Sequence, residues 1–150
     1  MLAQLAAWMS YLQETRKLQH VATVGFSVGA RIGLVLAAQN RRVAGHVCYY
    51  PLIEEPKAVN QEFEVLTLAK EVRCPIQLVC PGKDERTMSY TYERLTGVLR
   101  KRAAPTSVHY YPDASDGFME GQGQAAPGNQ GAMRLSWAQA VSFLRACATG

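Results

Sequence analysis

The sequence predicts an α/β protein: a four-stranded parallel sheet with flanking helices. Three observations carry that prediction. Four short runs rich in β-branched and apolar residues, at about 21–26, 43–50, 76–80 and 107–111, alternate with longer segments of helical periodicity. The strand runs are nearly continuous in apolar residues, as strands covered on both faces are, and strands alternating with helices build βαβ units. Finally, 150 residues, 48% of them apolar, suffice for one domain with its own core, and no repeat or linker divides residues 1–150.

The elements follow in order. Over residues 2–18, Leu2, Leu5, Trp8, Met9 and Leu12 recur at three- and four-residue intervals and predict an amphipathic helix. The first strand, about 21–26, leads into a helix from about Val28 to Gln39 that Asn40 and two arginines stop. Val43 to Tyr50 is the second strand, closed by Pro51; Leu52 to Asn60 is a loop, and Phe63 to Val72 a short helix. Pro75 opens the third strand, which runs into Pro81-Gly82-Lys83-Asp84-Glu85, a turn sequence. Residues 88–102 form a helix with Met88, Tyr92, Leu95 and Leu99 inward. Ser107 to Tyr111 is the fourth strand. Pro112 to Gly131, rich in Gly, Gln, Asp and Pro, is a long irregular stretch of the kind that carries function or moves. A helix from about Ala132 to Cys147 closes the chain, with Leu135, Trp137, Val141 and Leu144 inward.

Composition narrows the function classes. Sixteen basic residues stand against 12 acidic ones, scattered apart from Arg41-Arg42, Lys57 and Arg100-Lys101-Arg102, and no basic-aromatic module or finger spacing points to nucleic acid. Cys48, Cys74, Cys80 and Cys147 have no CxxC spacing and no clustered histidines, so they read as small buried hydrophobes, not as metal ligands. Reduced thiols, no export signal in the first twenty residues and no run of membrane-spanning length lead to the expectation of a cytoplasmic protein that binds no membrane.

Chemistry concentrates at Gly25-Phe26-Ser27-Val28-Gly29, between the first strand and its helix. A serine at the tip of such a turn has its hydroxyl pushed outward, with Gly25 and Gly29 supplying bare backbone where strand and helix cross. Ser27 is therefore a candidate nucleophile; its other reading is the N-cap of the helix. Ligands of parallel sheets bind beyond the carboxyl ends of the strands. Ser27 follows strand one, Asp84 strand three, and the loop holding Asp116 strand four, so all three approach one edge of the sheet.

This order, an elbow serine, then Pro81-Gly82-Lys83-Asp84, then the run from Tyr111 to Phe118 (YPDASDGF) before a C-terminal helix, resembles the α/β-hydrolase fold. It is most similar to the dienelactone hydrolase family, over almost the whole chain. The resemblance implies the C-terminal half of such a fold, a nucleophile at Ser27 where the family usually has cysteine, and an acid at Asp84 that orients a base. It implies attack on a small carboxylic ester or lactone through an acyl-enzyme that water releases, with no cofactor. The family's acidic substrates are gripped by arginines; Arg31, one helical turn past Ser27, and Arg86, two residues past Asp84, are the nearest candidates, although each also reads as a solvated surface charge.

The chain departs from that family in two places. Where the family has its general-base histidine just before Gly-Phe, this sequence has Asp116. A carboxylate of reference pKa about 3.9 accepts a serine proton poorly beside an imidazole of about 6.5, and Asp84 nearby adds repulsion. Of the three histidines, His46 and His109 fall inside strands and His20 at the amino edge of the sheet, so structural roles are expected for all; a second chain is another source of a histidine.

The second departure is the start. Full members of the fold carry several strands before the elbow, and a loop there donates one of two oxyanion N–H groups; here the N–H of Val28 is the donor expected, and loss of one donor costs about a hundred- to a thousandfold. The elbow strand is then an apolar sheet edge that invites pairing. A homodimer through that edge or through the N-terminal helix is expected, against the alternative that the helix folds over its own edge. Two functions stay open: a serine hydrolase with an incomplete triad and weak or absent activity, and an inactive hydrolase-fold binding or assembly module. The exposed elbow strand also fits a chain that is the C-terminal portion of a longer protein.

Overall fold

The computed structural model describes residues 1–57, 59 and 63–149. Four strands, β1 (Val21–Phe26), β2 (Val43–Tyr49), β3 (Ile76–Lys83) and β4 (Thr106–Ser115), form one sheet in the order β1-β2-β3-β4, every neighbouring pair parallel. The helices are α1 (Leu2–Ser10), α2 (Val28–Gln39), α3 (Val65–Ala69), α4 (Ser89–Arg100) and α5 (Pro127–Thr149). Phe26 pairs with Tyr49, and Lys83 with Ser115. β1 and β2 therefore end level, β3 and β4 continue past them to Lys83 and Ser115, and the segments that follow all four strands leave from the same edge of the sheet.

Alternation along each strand divides the core in two. His46 and Cys48 of β2 and Ile76, Leu78 and Cys80 of β3 are buried on one face, where Leu34 and Val35 of α2, Leu66 of α3, Leu95 and Leu99 of α4 and Met9 of α1 cover them. Val47, Tyr49 and Val79 face the other way, under Ala132 and Ala140 of α5 and against Phe118. Burying a large aliphatic side chain contributes about 1.5–3 kcal/mol, so the many-helix face is the chief source of stability. The four cysteines are free; Cys48, Cys74 and Cys80 are buried and Cys147 partly so. Among the described residues no helix is long and apolar enough to cross a membrane.

The sheet and its helices match the expected order, but several elements differ in extent or facing. The first helix is α-helical only to Ser10 and continues as a π-helical turn over Tyr11–Thr15. Leu2, Leu5 and Met9 pack on the core, whereas Trp8 is 63% exposed and lies edge-on to Tyr11, ring centroids 5.8 Å apart. The second strand ends at Tyr49, because Tyr50 turns to φ +35°. The helix expected over Phe63 to Val72 is confined to Val65–Ala69, and Asn60, the expected end of the preceding loop, lies outside the described residues.

Pro81-Gly82-Lys83 is strand, not turn, and β4 likewise runs on through Pro112 to Ser115 with a register shift between Pro81 and Lys83. The physical reason is close contact: a Cβ on Gly82 would stand 2.3 Å from Pro112 O, so the two backbones cross where side chains are missing, and an edge strand tolerates the proline. The long irregular stretch shrinks accordingly. A 3₁₀ turn fills Gly121–Ala125, and α5 starts at Pro127, at the first helical position that proline favours.

Met88, expected inward, precedes α4 and is half exposed, while Thr91 is buried beside Tyr92. In α5 the buried positions are Asn129, Ala132, Ser136 and Ala140, and Leu135 (62% exposed) and Trp137 face outward. Small residues there let the helix axis approach Tyr49 of β2. The turn after α1 reaches the start of β2, where Gln13 Nε2 donates to Arg42 O at 3.0 Å, and Val24 of β1 stays exposed; among the described residues β1 pairs with β2 alone.

Candidate active site

Ser27 occupies a strained turn. Its φ of +50° and ψ of −116° lie outside the regions a serine ordinarily adopts, and its side chain makes no N-cap bond to α2. Strain of this kind persists only where surroundings impose it. Here Ser27 N donates to Tyr49 O at 3.0 Å, and Ser27 O accepts from Arg31 N and Leu52 N, each at 3.2 Å. Strand and helix cross closely at Gly25, where a Cβ would lie 2.5 Å from Gly29 O. A Cβ on Gly29 would meet nothing within 4 Å, so the crossing needs only the first of the two glycines. The N–H of Val28 opens α2, among the first N–H groups that a helix leaves unbonded.

Asp84 heads the segment after β3 and is held by its own loop. Oδ1 accepts from Arg86 N at 2.8 Å and from Thr87 N at 2.9 Å, and Oδ2 accepts from the hydroxyl of Tyr92 on α4. Burial, and then the Asp84 carboxylate, push the Tyr92 hydroxyl far above its ordinary pKa, so the phenol stays a donor. Thr87, itself buried, donates to Pro51 O at 3.0 Å and accepts from Ile53 N at 3.1 Å, which joins this loop to the segment after β2.

Asp116 follows the last registered pair of β3 and β4, and its N–H donates to Lys83 O at 3.3 Å. Two anchors set the loop beyond it. Phe118 is fully buried against Tyr49, Tyr50 and Tyr111, and the buried Asn129 accepts from Ser115 N at 2.9 Å while donating to Ser115 Oγ at 2.8 Å. Burial and then the charge of Asp84 raise the Asp116 carboxyl above its ordinary pKa, and Arg86 works against both.

Arg86 joins the nucleophile position to the histidine position. Its Nη1 donates to Ser27 Oγ and to Asp116 Oδ2, each at 3.4 Å. The Arg31 side chain lines a separate cavity of about 180 Å³ with Met1, Leu2, Ile32, Val35, Phe63 and Val65, and its Nε is buried with no hydrogen-bond partner among the described residues. A second cavity, of about 690 Å³, lies beside Asp84 between α4 and β4, walled in part by Cys80, Tyr92, Gly97, Val108 and Tyr110.

Each histidine has a place of its own. His46 is wholly buried between Thr23 Oγ1 (2.8 Å from Nδ1) and Ala30 O (3.0 Å from Nε2), and burial pushes its pKa down to about 4. His109 is half-buried within β4, with a pKa lowered by burial, and His20 is exposed before β1. Among the described residues no group of three or more His, Cys, Asp or Glu is placed to hold a metal ion.

Sequence reasoning passed over Tyr92 and Thr87 as site residues. Tyr92 was legible only as an inward helix position. The signal for Thr87 is the aspartate three residues before it, since an Asp side chain takes the N–H groups two and three positions on. The Tyr49, Tyr50 and Phe118 cluster under the site gives no local sign.

Comparison with known proteins identifies the family and the fold. The sequence model of the dienelactone hydrolase family matches residues 1–148. An Escherichia coli K12 protein named carboxymethylenebutenolidase is 26% identical over 117 residues, 78% of this chain and 42% of its own length, and a Salmonella typhi protein of that name is 24% identical over the same share of this chain. The chain thus spans about two fifths of the length of the curated relatives it matches. Among solved structures, a dienelactone hydrolase from Klebsiella pneumoniae superposes with a TM-score of 0.82 at 21% identity, over 96% of this chain and 60% of that one. An α/β-hydrolase enzyme from a Medee basin deep-sea metagenome library gives 0.74 at 15% identity, over 99% and 65%. At these identities the structural likeness establishes the fold.

Proposed function

This chain belongs to the dienelactone hydrolase family, and from that premise we propose that it hydrolyses small carboxylic esters or lactones through Ser27, slowly, with a triad that lacks its histidine. The observation that supports this most is the strained φ of +50° at Ser27, which holds the hydroxyl at the carboxyl edge of the sheet beside Arg86. In this reading Ser27 Oγ attacks the carbonyl carbon and the N–H of Val28 receives the oxyanion. Asp84 is the acid of the triad, Asp116 stands at the histidine position, and Arg86 faces the substrate. Buried, unpaired thiols at Cys48, Cys74 and Cys80 favour a cytoplasmic place of action.

A fluorophosphonate probe followed by intact-mass analysis tests the reading, because it reports an activated serine without the true substrate. A slow adduct on Ser27, absent in Ser27→Ala and faster in Asp116→His, is the expected result. No adduct on either the natural chain or Asp116→His would overturn it.

One observation favours a second reading, an inactive binding or assembly module: Asp84 is already engaged by two N–H donors of its own loop and by the Tyr92 hydroxyl of α4, and Asp116 by Arg86. Ligand binding at the site without turnover would distinguish it. The open edge of β1 supports a homodimer by strand pairing; light scattering that finds only monomer at high concentration would exclude that assembly.

A further inference from the structure

β4 is the second open edge of the sheet, and α4 overhangs it. Ile76 N donates to Pro105 O, and Ile76 is registered with Thr106, so Pro105, Ser107 and His109 turn their backbone groups to β3. Thr106, Val108 and Tyr110 aim theirs away from the sheet, where among the described residues no strand meets them. The side chains of Val108 and Tyr110 lie on the α4 side, and Tyr110 is 60% exposed. Between them and the helix is the cavity of about 690 Å³, a size that holds a small ligand. A Cβ on Gly97, in the helical wall, would meet nothing within 4 Å, so the space there is open.

Charge gives the cavity a direction. Tyr92, Leu95 and Leu99 hold α4 to the core, while Glu93 and Arg100 line the cavity. Neither has a hydrogen-bond or ion-pair partner among the described residues. Their positions in the helix set them about 10 Å apart along its axis. α4 leaves the carboxyl end of β3 and returns to the start of β4, which puts Glu93 nearer the carboxyl edge of the sheet and Arg100 nearer the amino edge. Asp84, at the same mouth as Glu93, has both oxygens engaged, so Glu93 is the carboxylate left to receive a cation.

We propose that this face binds a short peptide with free ends, extended and antiparallel to β4. An extended tripeptide spans about 10 Å, the separation of Glu93 from Arg100 along the helix. Its backbone exchanges hydrogen bonds with Val108 and Tyr110, its ammonium pairs with Glu93, and its carboxylate pairs with Arg100. The first and third side chains point to one side, into the cavity over Cys80, Val108 and Tyr110, which favours aliphatic or aromatic residues there. Strand addition of this kind takes affinity from the main chain and specificity from the pockets. Ser27 does not line the cavity, so binding is independent of any reaction there.

Titration of the isotope-labelled chain with the tripeptide Leu-Ala-Phe, read from amide chemical shifts, is the test. Saturable shifts should gather on residues 106–110 and on α4. Gly97→Leu fills the cavity and should weaken binding about tenfold or more, since an apolar side chain of the peptide loses its place; Gly97→Ala should weaken it far less. Circular dichroism melting checks that both variants fold. Acetylating the amino end should weaken binding about two- to fivefold, the worth of an exposed ion pair. Glu93→Gln should do the same to the free peptide and nothing further to the acetylated one, and Arg100→Gln should behave likewise toward amidation of the carboxyl end.

No saturable shift, shifts around β1 or Ser27 instead, binding untouched by Gly97→Leu, or equal affinity for free and doubly blocked peptides overturns the proposal. Shifts on residues 106–110 that depend on protein concentration without peptide overturn it too, because a second copy of the chain then holds the edge.

Discussion

The Cβ that Gly25 lacks would stand 2.5 Å from the carbonyl oxygen of Gly29 and 2.6 Å from the nitrogen of Ala30, both of them backbone atoms that cannot rotate aside. Gly25→Ala must therefore separate β1 from α2. It is expected to lower stability by about 1–3 kcal/mol and to abolish labelling of Ser27. Gly29→Ala meets nothing within 4 Å, and a helical alanine in place of glycine should leave stability unchanged or raise it by about 0.5–1 kcal/mol. Urea denaturation of both variants decides the matter; equal losses would contradict the close crossing.

His46 predicts a pH dependence of stability. Its Nε2–H donates to Ala30 O and its Nδ1 accepts from Thr23 Oγ1, an arrangement for a neutral ring, and burial lowers its pKa to about 4 from the ordinary value of 6.5. Between pH 6.5 and 4 the unfolded chain binds a proton that the folded chain refuses, so stability is full above the unfolded pKa and is lost as pH falls through this window. The loss is about 3 kcal/mol. Unfolding free energies measured from pH 7.5 to 4 should fall less in His46→Gln than in the natural chain; parallel curves would refute the assignment.

Tyr92→Phe removes one donor from Asp84 and leaves the N–H groups of Arg86 and Thr87 on the other oxygen. Because Tyr92 is only 6% exposed, water cannot easily replace its hydroxyl. A loss of about 1.5–3 kcal/mol is expected in guanidinium denaturation. A variant as stable as the natural chain would show that Asp84 finds another partner.

Asn129 ties the Asp116 loop to the start of α5 through Ser115 N, Ser115 Oγ and Gly123 O. Asn129→Ala should cost about 2–3 kcal/mol and speed amide exchange over residues 116–126, with β2 and β3 still protected. Uniform exchange changes would instead place the role of Asn129 in global stability.

Elements with local causes were legible. The β-branched run before Gly25-Phe26-Ser27-Val28-Gly29 and the apolar segment after it announce strand, turn and helix within eighteen residues, and the parallel direction of the four strands follows from their alternation with helices, whereas their order across the sheet came from the structure. Facing was harder. In α5 the pull of large apolar residues suggested Leu135 and Trp137 inside, yet Ala132, Ser136 and Ala140 are the buried ones, because β2 already presents Tyr49 beneath them. Pro81-Gly82 and Pro112 carry turn chemistry but lie in paired strands, since glycine there permits a backbone crossing that no local preference reports.

The family, the α/β architecture and the positions of Ser27, Asp84 and Asp116 after the first, third and fourth strands were determined by the sequence alone, because periodicity, glycine spacing and the succession of strands and helices along the chain are local properties. What only the tertiary structure decided is which groups meet. Arg86 lies 59 residues from Ser27 and 30 from Asp116, and its guanidinium touches both. Tyr92 closes on Asp84 only once α4 has packed on β3. Such contacts depend on how the sheet twists and how its helices settle, and long side chains reach across whatever distance that packing leaves.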